Sequence, residues 1–348
     1  VDANGTRGAH GLLTDCARVD APTEFAGFGS LSVLTLDAGR ALTKGDAVTV
    51  LTEGQTVYAS DANLYVATQT WIDPTQQSDS SRLPVWEQSY ATSIHQFSIA
   101  GTAPATYLAS GQVTGHLLDQ FSMSEHKGVL RVATTKGVPW GTTATSESSV
   151  VTLKRDGEAL REIGRVDSLG KGERIYAVRF AGDTAYLVTF RQTDPFYTLD
   201  LSDPAAPKVL GELKITGYSG YLHPIDDHLV IGVGQEASAQ GRVQGTKVSL
   251  FDVQDLANPV ELAKWTVPAS SSGAEWDHHA FLWWPATKTL VLPVQQYIGG
   301  TDAGGAYVLK VDRATGITQL GRISHAIEKP ANVGATECRG GPASTVAK

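Results

Sequence analysis

The chain has 348 residues, 41% of them hydrophobic and only 18% charged, with 36 glycines and 15 prolines. That composition can bury a large core and suits a fold with many tight turns. The net charge of −8 argues against nucleic acid or an anionic membrane surface as partner, and no apolar run reaches the ~18 residues of a membrane-spanning helix.

Residues 1–26 form an N-terminal segment that holds Cys16. It begins Val1-Asp2-Ala3-Asn4, without an initiator Met or a signal-like apolar stretch. This reads as the processed end of a mature, secreted chain. Residues 27–325 then repeat one phrase. Each copy opens on a strand of alternating residues, and six starts are visible, at Leu34, Phe97, Leu153, Leu199, Phe251 and Leu309. A turn follows, such as Asp203-Pro204-Ala205-Ala206-Pro207 or Arg313-Ala314-Thr315-Gly316. Pro presets the turn dihedral there and Gly supplies positive φ. The second half of the phrase returns as Leu108-Ala109-Ser110-Gly111, Ile163-Gly164-Arg165-Val166, Leu210-Gly211-Glu212-Leu213, Leu262-Ala263-Lys264-Trp265 and Leu320-Gly321-Arg322-Ile323. Two more apolar strands follow each copy except the last, for example Ile175 to Phe180 and Ala185 to Thr189.

Four short strands per unit, repeated roughly every 50 residues, predict an all-β fold: a single-domain β-propeller of four-stranded antiparallel blades. No run of a dozen residues carries a helical period. Residues 326–348 read as a loop-like tail that holds Cys338. A cysteine near each end predicts a Cys16–Cys338 disulfide that fastens the ring in an oxidising compartment; two separate thiols are the other reading.

Catalytic signatures are missing. There is no His-Glu-x-x-His motif and no nucleophile elbow, since Gly217-Tyr218-Ser219-Gly220 fails at the last position. Gly241 to Lys247 has the wrong spacing for a phosphate loop. The chain is therefore expected to be non-catalytic and to need no cofactor. The best polar cluster is Trp276-Asp277-His278-His279, with His223 and His325 in neighbouring units. His223, Asp277, His279 and His325 are the metal-ligand candidates. On a strand, His278 and His279 would point to opposite faces, so at most one could serve. Hydrogen bonding between blades is the simpler use of these imidazoles. Asp194 and Asp226-Asp227 fit turn caps better than acid/base pairs. Core packing is the expected use of Trp283 and Trp284.

Several long phrases resemble the family of secreted β-propeller proteins of actinobacteria and archaea. They are Gln120-Phe121-Ser122-Met123-Ser124-Glu125, the run Gly172 to Phe180, Tyr186 to Pro195, Tyr221-Leu222-His223-Pro224 and Asp277 to Pro285. The resemblance covers roughly residues 15 to 325 and implies seven blades, as in the best-described type of the family; its members usually continue past Lys348 with another apolar two-strand segment, a departure that suggests truncation, trimming or a separate fragment. The best-described members, from Streptomyces, are secreted propellers that induce autolysis of dispase, a thermolysin-like neutral metalloprotease. The resemblance thus implies a secreted, extracellular protein-interaction propeller with that class of partner. The alternative is a metal- or small-ligand-binding propeller with a His/Asp site near the axis. Loops 71–82 and 234–245 are long and polar. Their Gln76, Gln77, Gln235, Gln240 and Gln244 are candidate transglutaminase acyl donors, since that enzyme needs an extended, mobile segment.

Overall fold

The computed structural model describes residues 12–22, 24–39, 41, 44–70, 90–137, 146–190, 194–238, 240–298, 301–302 and 304–324. They form strands joined by tight turns, and all their helical turns are of 3-10 type. The first sheet has three strands, β1 (Val19–Asp20), β2 (Leu31–Leu34) and β3 (Ala47–Val50), in the order β1-β3-β2. Four blades follow, each an antiparallel meander. They are β4 (Thr56–Ala59), β5 (Asn63–Thr70), β6 (Ala91–Ser98) and β7 (Thr106–Thr114); β8 (Met123–His126), β9 (Val129–Thr135), β10 (Ser148–Asp156) and β11 (Ala159–Leu169); β12 (Arg174–Ala181), β13 (Thr184–Phe190), β14 (Asp194–Asp200) and β15 (Lys208–Ile215); and β16 (Tyr218–Pro224), β17 (Leu229–Ala237), β18 (Val243–Asp252) and β19 (Val260–Pro268).

The fifth blade is elaborated. Its inner edge is shared by β20 (Ser270–Ser272) and β21 (Leu282–Trp284), both paired to β22 (Thr289–Ile298). The ribbon β23 (Thr301–Asp302) also pairs β22, and β24 (Gly305–Asp312) and β25 (Gly316–Ile323) complete the blade. The first two blades are joined into one eight-stranded sheet by a single parallel pair, Ala159 with Ser110.

The six predicted starts fall in β2, β6, β10, β14, β18 and β24. The architecture is the propeller of four-stranded antiparallel blades that the repeat predicts. The described residues supply five such blades and one three-stranded sheet, without the seventh unit that the resemblance implies. The sequence repeat and the blade are also out of phase. The phrases that start at Phe97, Leu153, Leu199 and Phe251 each open on the third strand of one blade and end on the second strand of the next.

Apolar alternation explains the cores. In β14 and just beyond it, Tyr197, Leu199 and Leu201 are buried on one face against Ile175, Val178 and Leu187. The opposite face of the same blade puts Phe196 against Phe251 of the next, with rings stacked 4.4 Å apart.

The second half of the phrase builds the joint between blades. The pairing of third with fourth strand skips one residue of the fourth: Leu108, Ile163, Leu210, Leu262 and Leu320 in turn. Each is a β-bulge, and the residue after it is Ala or Gly. The turn of the following blade docks there. A Cβ on Gly164 would overlap Pro204 O and lie 2.8 Å from Pro207 Cδ, and one on Gly211 would overlap Leu256 O and lie 2.7 Å from Pro259 Cδ. Gly316 (φ +71°) makes the same approach to Ala263. A threonine hydroxyl closes two of these joints: Thr152 Oγ1 donates to Pro204 O at 2.6 Å, and Thr198 Oγ1 to Leu256 O at 2.5 Å. The docking turns are preshaped by aspartates. Asp203 Oδ1 accepts from Ala205 N–H at 2.9 Å and Asp255 Oδ1 from Ala257 N–H at 3.0 Å.

Gly321 holds the same place in β25, but among the described residues no atom comes within 4 Å of where its Cβ would stand. Gly164→Ala or Gly211→Ala should therefore destabilise the protein by about 1–3 kcal/mol through overpacking, whereas Gly321→Ala should stay within about 0.5 kcal/mol of wild type. Urea midpoints of the three variants check this; an unchanged midpoint for Gly164→Ala would show that the joint yields freely.

Candidate binding mouth at the propeller axis

The first strands of the blades converge on a polar-aromatic plug. Asp119 caps the 3-10 turn Gln120–Ser122: its carboxylate accepts from Phe121 N–H at 2.8 Å, and Ser122 Oγ accepts from Asp119 N–H at 3.3 Å. This capping box fixes the turn that presents Phe121 to Tyr221 and His278. There the Arg179 guanidinium lies 4.2 Å from the Phe121 ring centroid and donates to Tyr221 Oη at 3.1 Å. His278 meets the same Phe121 ring edge-on at 5.2 Å. A cavity of about 380 Å³ opens at this end of β12, lined by Gln120, Phe121, Arg179, Phe180 and His278 among others.

The opposite end of β12 opens into a larger mouth of about 640 Å³. Arg174 and Tyr176 come from the start of β12, Tyr218 and Gly220 from the start of β16, and Glu275 and Trp276 from the fifth blade. His116 and Leu118 come from the link between the first two blades. Trp276 is 71% exposed and Leu118 44% exposed, so the rim offers apolar surface to solvent. Tyr176 and Tyr218 pack with ring centroids 4.8 Å apart, and Phe190 braces both from behind at 5.2 and 5.0 Å.

Glu275 is the acidic wall of this mouth. Ser272-Gly273-Ala274-Glu275 is a capping box, in which Ser272 Oγ accepts from Ala274 N–H and Glu275 Oε1 accepts from Ser272 N–H at 2.9 Å. Gln235 Nε2 donates to the same Oε1 at 2.5 Å, and Tyr218 Oη lies 3.4 Å from Oε2. Burial raises the Glu275 carboxyl above its ordinary range, partly offset by these neutral donors. Across the mouth, burial lowers the His116 imidazole, and the Arg174 charge lowers it further against the opposing pull of Gly137 O.

The sequence-predicted residues scatter. His223 is a core imidazole, 3.3 Å from Tyr221 Oη and stacked near Phe281, and burial pushes it down to about 4. It is not grouped with the histidines of the fifth blade. Asp277, His278 and His279 do form a compact group, with one candidate ligand atom from each within 4.8 Å of the others. Here the strand argument is corrected: the two histidines occupy a 3-10 turn, His278–Ala280, and their rings lie side by side 4.0 Å apart. His279 Nδ1 is 2.9 Å from Asp277 Oδ1. His325 lies outside the described residues.

The glutamine loop expected at 234–245 is mostly strand. β17 runs to Ala237 and β18 starts at Val243. Gln235 is 4% exposed and its amide is committed to Glu275, so it is not an accessible acyl donor. Gln240 and Gln244 are exposed, on the hairpin turn and in β18. Gln76 and Gln77 lie outside the described residues. So does Cys338; Cys16 sits exposed in a 3-10 turn and has no disulfide partner among the described residues. Asp226 caps its own turn, accepting from His228 N–H at 2.8 Å. Trp283 packs on the core, but Trp284 is exposed, against expectation.

A family model described as a beta propeller domain matches residues 6–344. An uncharacterized protein of Methanocaldococcus jannaschii is 43% identical over 227 residues, covering 65% of this chain and 33% of that protein. One of Archaeoglobus fulgidus is 48% identical over 170 residues, covering 49% of this chain and 25% of that protein. The chain thus spans a third or less of the length of these two relatives, and neither connects it to the dispase autolysis-inducing propellers. Among solved structures, Sqt1 from Chaetomium thermophilum aligns with a TM-score of 0.36 at 14% identity, over 59% of this chain and 61% of that one, too slight a likeness to argue from.

The buried imidazoles make a pH test. His95 and His223 are both lowered to about 4 by burial, whereas an unfolded chain titrates near 6.5. Between those values the unfolded chain binds more protons, so stability is complete above about pH 6.5 and falls as pH drops toward 4. Urea unfolding at pH 7.5 and 5.0 should show a loss of up to about 2 kcal/mol for the enclosed His95 and less for the half-buried His223. His223→Gln should remove its share of the slope.

Proposed function

The chain belongs to the beta propeller domain family, and from that premise we propose that it is a non-catalytic binding protein that captures a polypeptide partner over its axial mouth. The observation that carries this reading is the rim itself. Trp276 and Leu118 present apolar surface around an opening of about 640 Å³ whose walls hold fixed polar groups. Binding sites are concave and largely apolar with a few placed polar groups, and exposed aromatics are favoured anchors at protein interfaces. By the resemblance of its sequence phrases, the protein is secreted and its partner is an extracellular neutral metalloprotease whose autolysis it promotes; the placing of one cysteine near each end supports a Cys16–Cys338 disulfide. Such promotion needs only that the propeller favour a locally opened protease. Gln240 and Gln244, with Gln76 and Gln77, remain its candidate transglutaminase donors.

A second reading, a divalent metal on the fifth blade, is favoured by the compact Asp277, His278 and His279 group. Retention of one zinc per chain after dialysis, lost in His279→Ala, would mark it.

The primary test incubates a thermolysin-like protease with a stoichiometric amount of this protein. Intact protease should disappear faster while the propeller stays whole, and Trp276→Ala should abolish the effect. A protease that is unaffected, or that digests the propeller, is not its partner.

A further inference from the structure

We propose that the axial mouth takes a basic side chain, Lys or Arg, of the bound polypeptide, with the Glu275 carboxylate as its counter-charge and Tyr176, Tyr218 and Trp276 as its aromatic wall. The proposal rests on the reading of the mouth as a polypeptide-binding site and names the chemistry that it recognises.

Three observations carry it. Glu275 is half-buried at the wall of the mouth, and its three hydrogen-bond donors among the described residues, Ser272 N–H, Gln235 Nε2 and Tyr218 Oη, are neutral. Two of them share Oε1, while Oε2 has the long 3.4 Å contact with Tyr218. A carboxylate oxygen accepts more than one hydrogen bond, so Oε2 retains capacity for a donor from the mouth, and a cationic donor makes the stronger bond. The second observation is the aromatic surround. Tyr218, which touches the carboxyl, is packed on Tyr176, and Trp276 stands on the rim next to Glu275. Ring faces attract ammonium and guanidinium groups, more strongly once water is excluded.

The third is charge: among the described lining residues Glu275 is the anion and Arg174 the arginine, and the chain as a whole is acidic. A long basic side chain entering along the Glu275 wall thus meets the carboxylate and the rings. The chain's net charge of −8 favours approach of a basic partner from a distance.

The test uses three capped tripeptides, acetyl-Gly-Lys-Gly-amide, acetyl-Gly-Arg-Gly-amide and acetyl-Gly-Gln-Gly-amide, titrated into the whole protein by calorimetry at low salt. The Lys or Arg peptide should bind at least about tenfold tighter than the Gln peptide. Glu275→Gln keeps the side-chain shape and should weaken the basic peptide roughly 10- to 100-fold, leaving the Gln peptide unchanged. Trp276→Ala, at a position exposed enough to leave folding intact, should weaken the basic peptide several-fold while leaving the preference for it in place. Equal binding of all three peptides, binding of none, or a Glu275→Gln variant that still prefers the basic peptide overturns the proposal. Protease capture that Trp276→Ala removes but Glu275→Gln leaves intact would keep the binding face and reject the cation.

Discussion

The joint between blades depends on the missing or minimal side chain at one position of the outer strand. A bulge turns the fourth strand of a blade, and at two joints the residue after it, Gly164 or Gly211, leaves room beside the backbone of the next blade. Contact this close is possible only where no side chain stands in the way. It is reinforced by the hydroxyls of Thr152 and Thr198, which reach the carbonyls of the incoming turns. The bulge also solves the problem of an exposed sheet edge, because it twists the outermost strand and its neighbour's turn covers part of it.

With the outer ends fixed in this way, the inner ends have little freedom. Packing between sheets, such as Phe196 on Phe251, sets the angle from blade to blade. The first strands then bring Arg179, Tyr221 and the capped Phe121 to one place, although Phe121 and Tyr221 are far apart in sequence. The plug adjoins one cavity, and a second opens at the other end of β12. The chemical character of the larger mouth is set by positions that scaffold packing does not dictate: strand starts and the short turns of the fifth blade. Rigid surroundings and locally free side chains are the usual conditions for recognition.

Much of the fold is legible in the sequence. The recurring pair of Leu or Ile with Gly or Ala marks the bulge, and the Asp-x-x-x-Pro run marks the turn that docks on it, because each is a local solution to a steric demand. The mouth is harder to read. Glu275 carries a local signal, the Ser-x-x-Glu capping box, but that box says only that a helical turn begins there. Tyr176, Tyr218 and Arg174 have ordinary strand contexts, and only the radial arrangement gathers them. The reading of residues 234–245 as a loop fails for a related reason. Gly, Gln and Ala dominate that stretch, yet Gly234, like Gly232 just before it, sits in β17 where the neighbouring Tyr218 and Ser219 approach too closely for a side chain. Adjacent histidines mislead in the same manner, since Asp277 caps a 3-10 turn where alternation predicts strand.

The half-blade offset between repeat and blade bears on how this protein comes apart. In a solenoid, each repeat is its own structural unit and stability is close to a sum of neighbours. Here each repeat donates its first half to one sheet and its second half to the next. Melting one stretch of about 50 residues therefore strips two sheets of strands at once, and neither is left with a complete set. Partial unfolding gains the entropy of one repeat at the enthalpic loss of two blades. The staggered connection makes the whole assembly, rather than any single blade, the unit that resists heat and proteolysis.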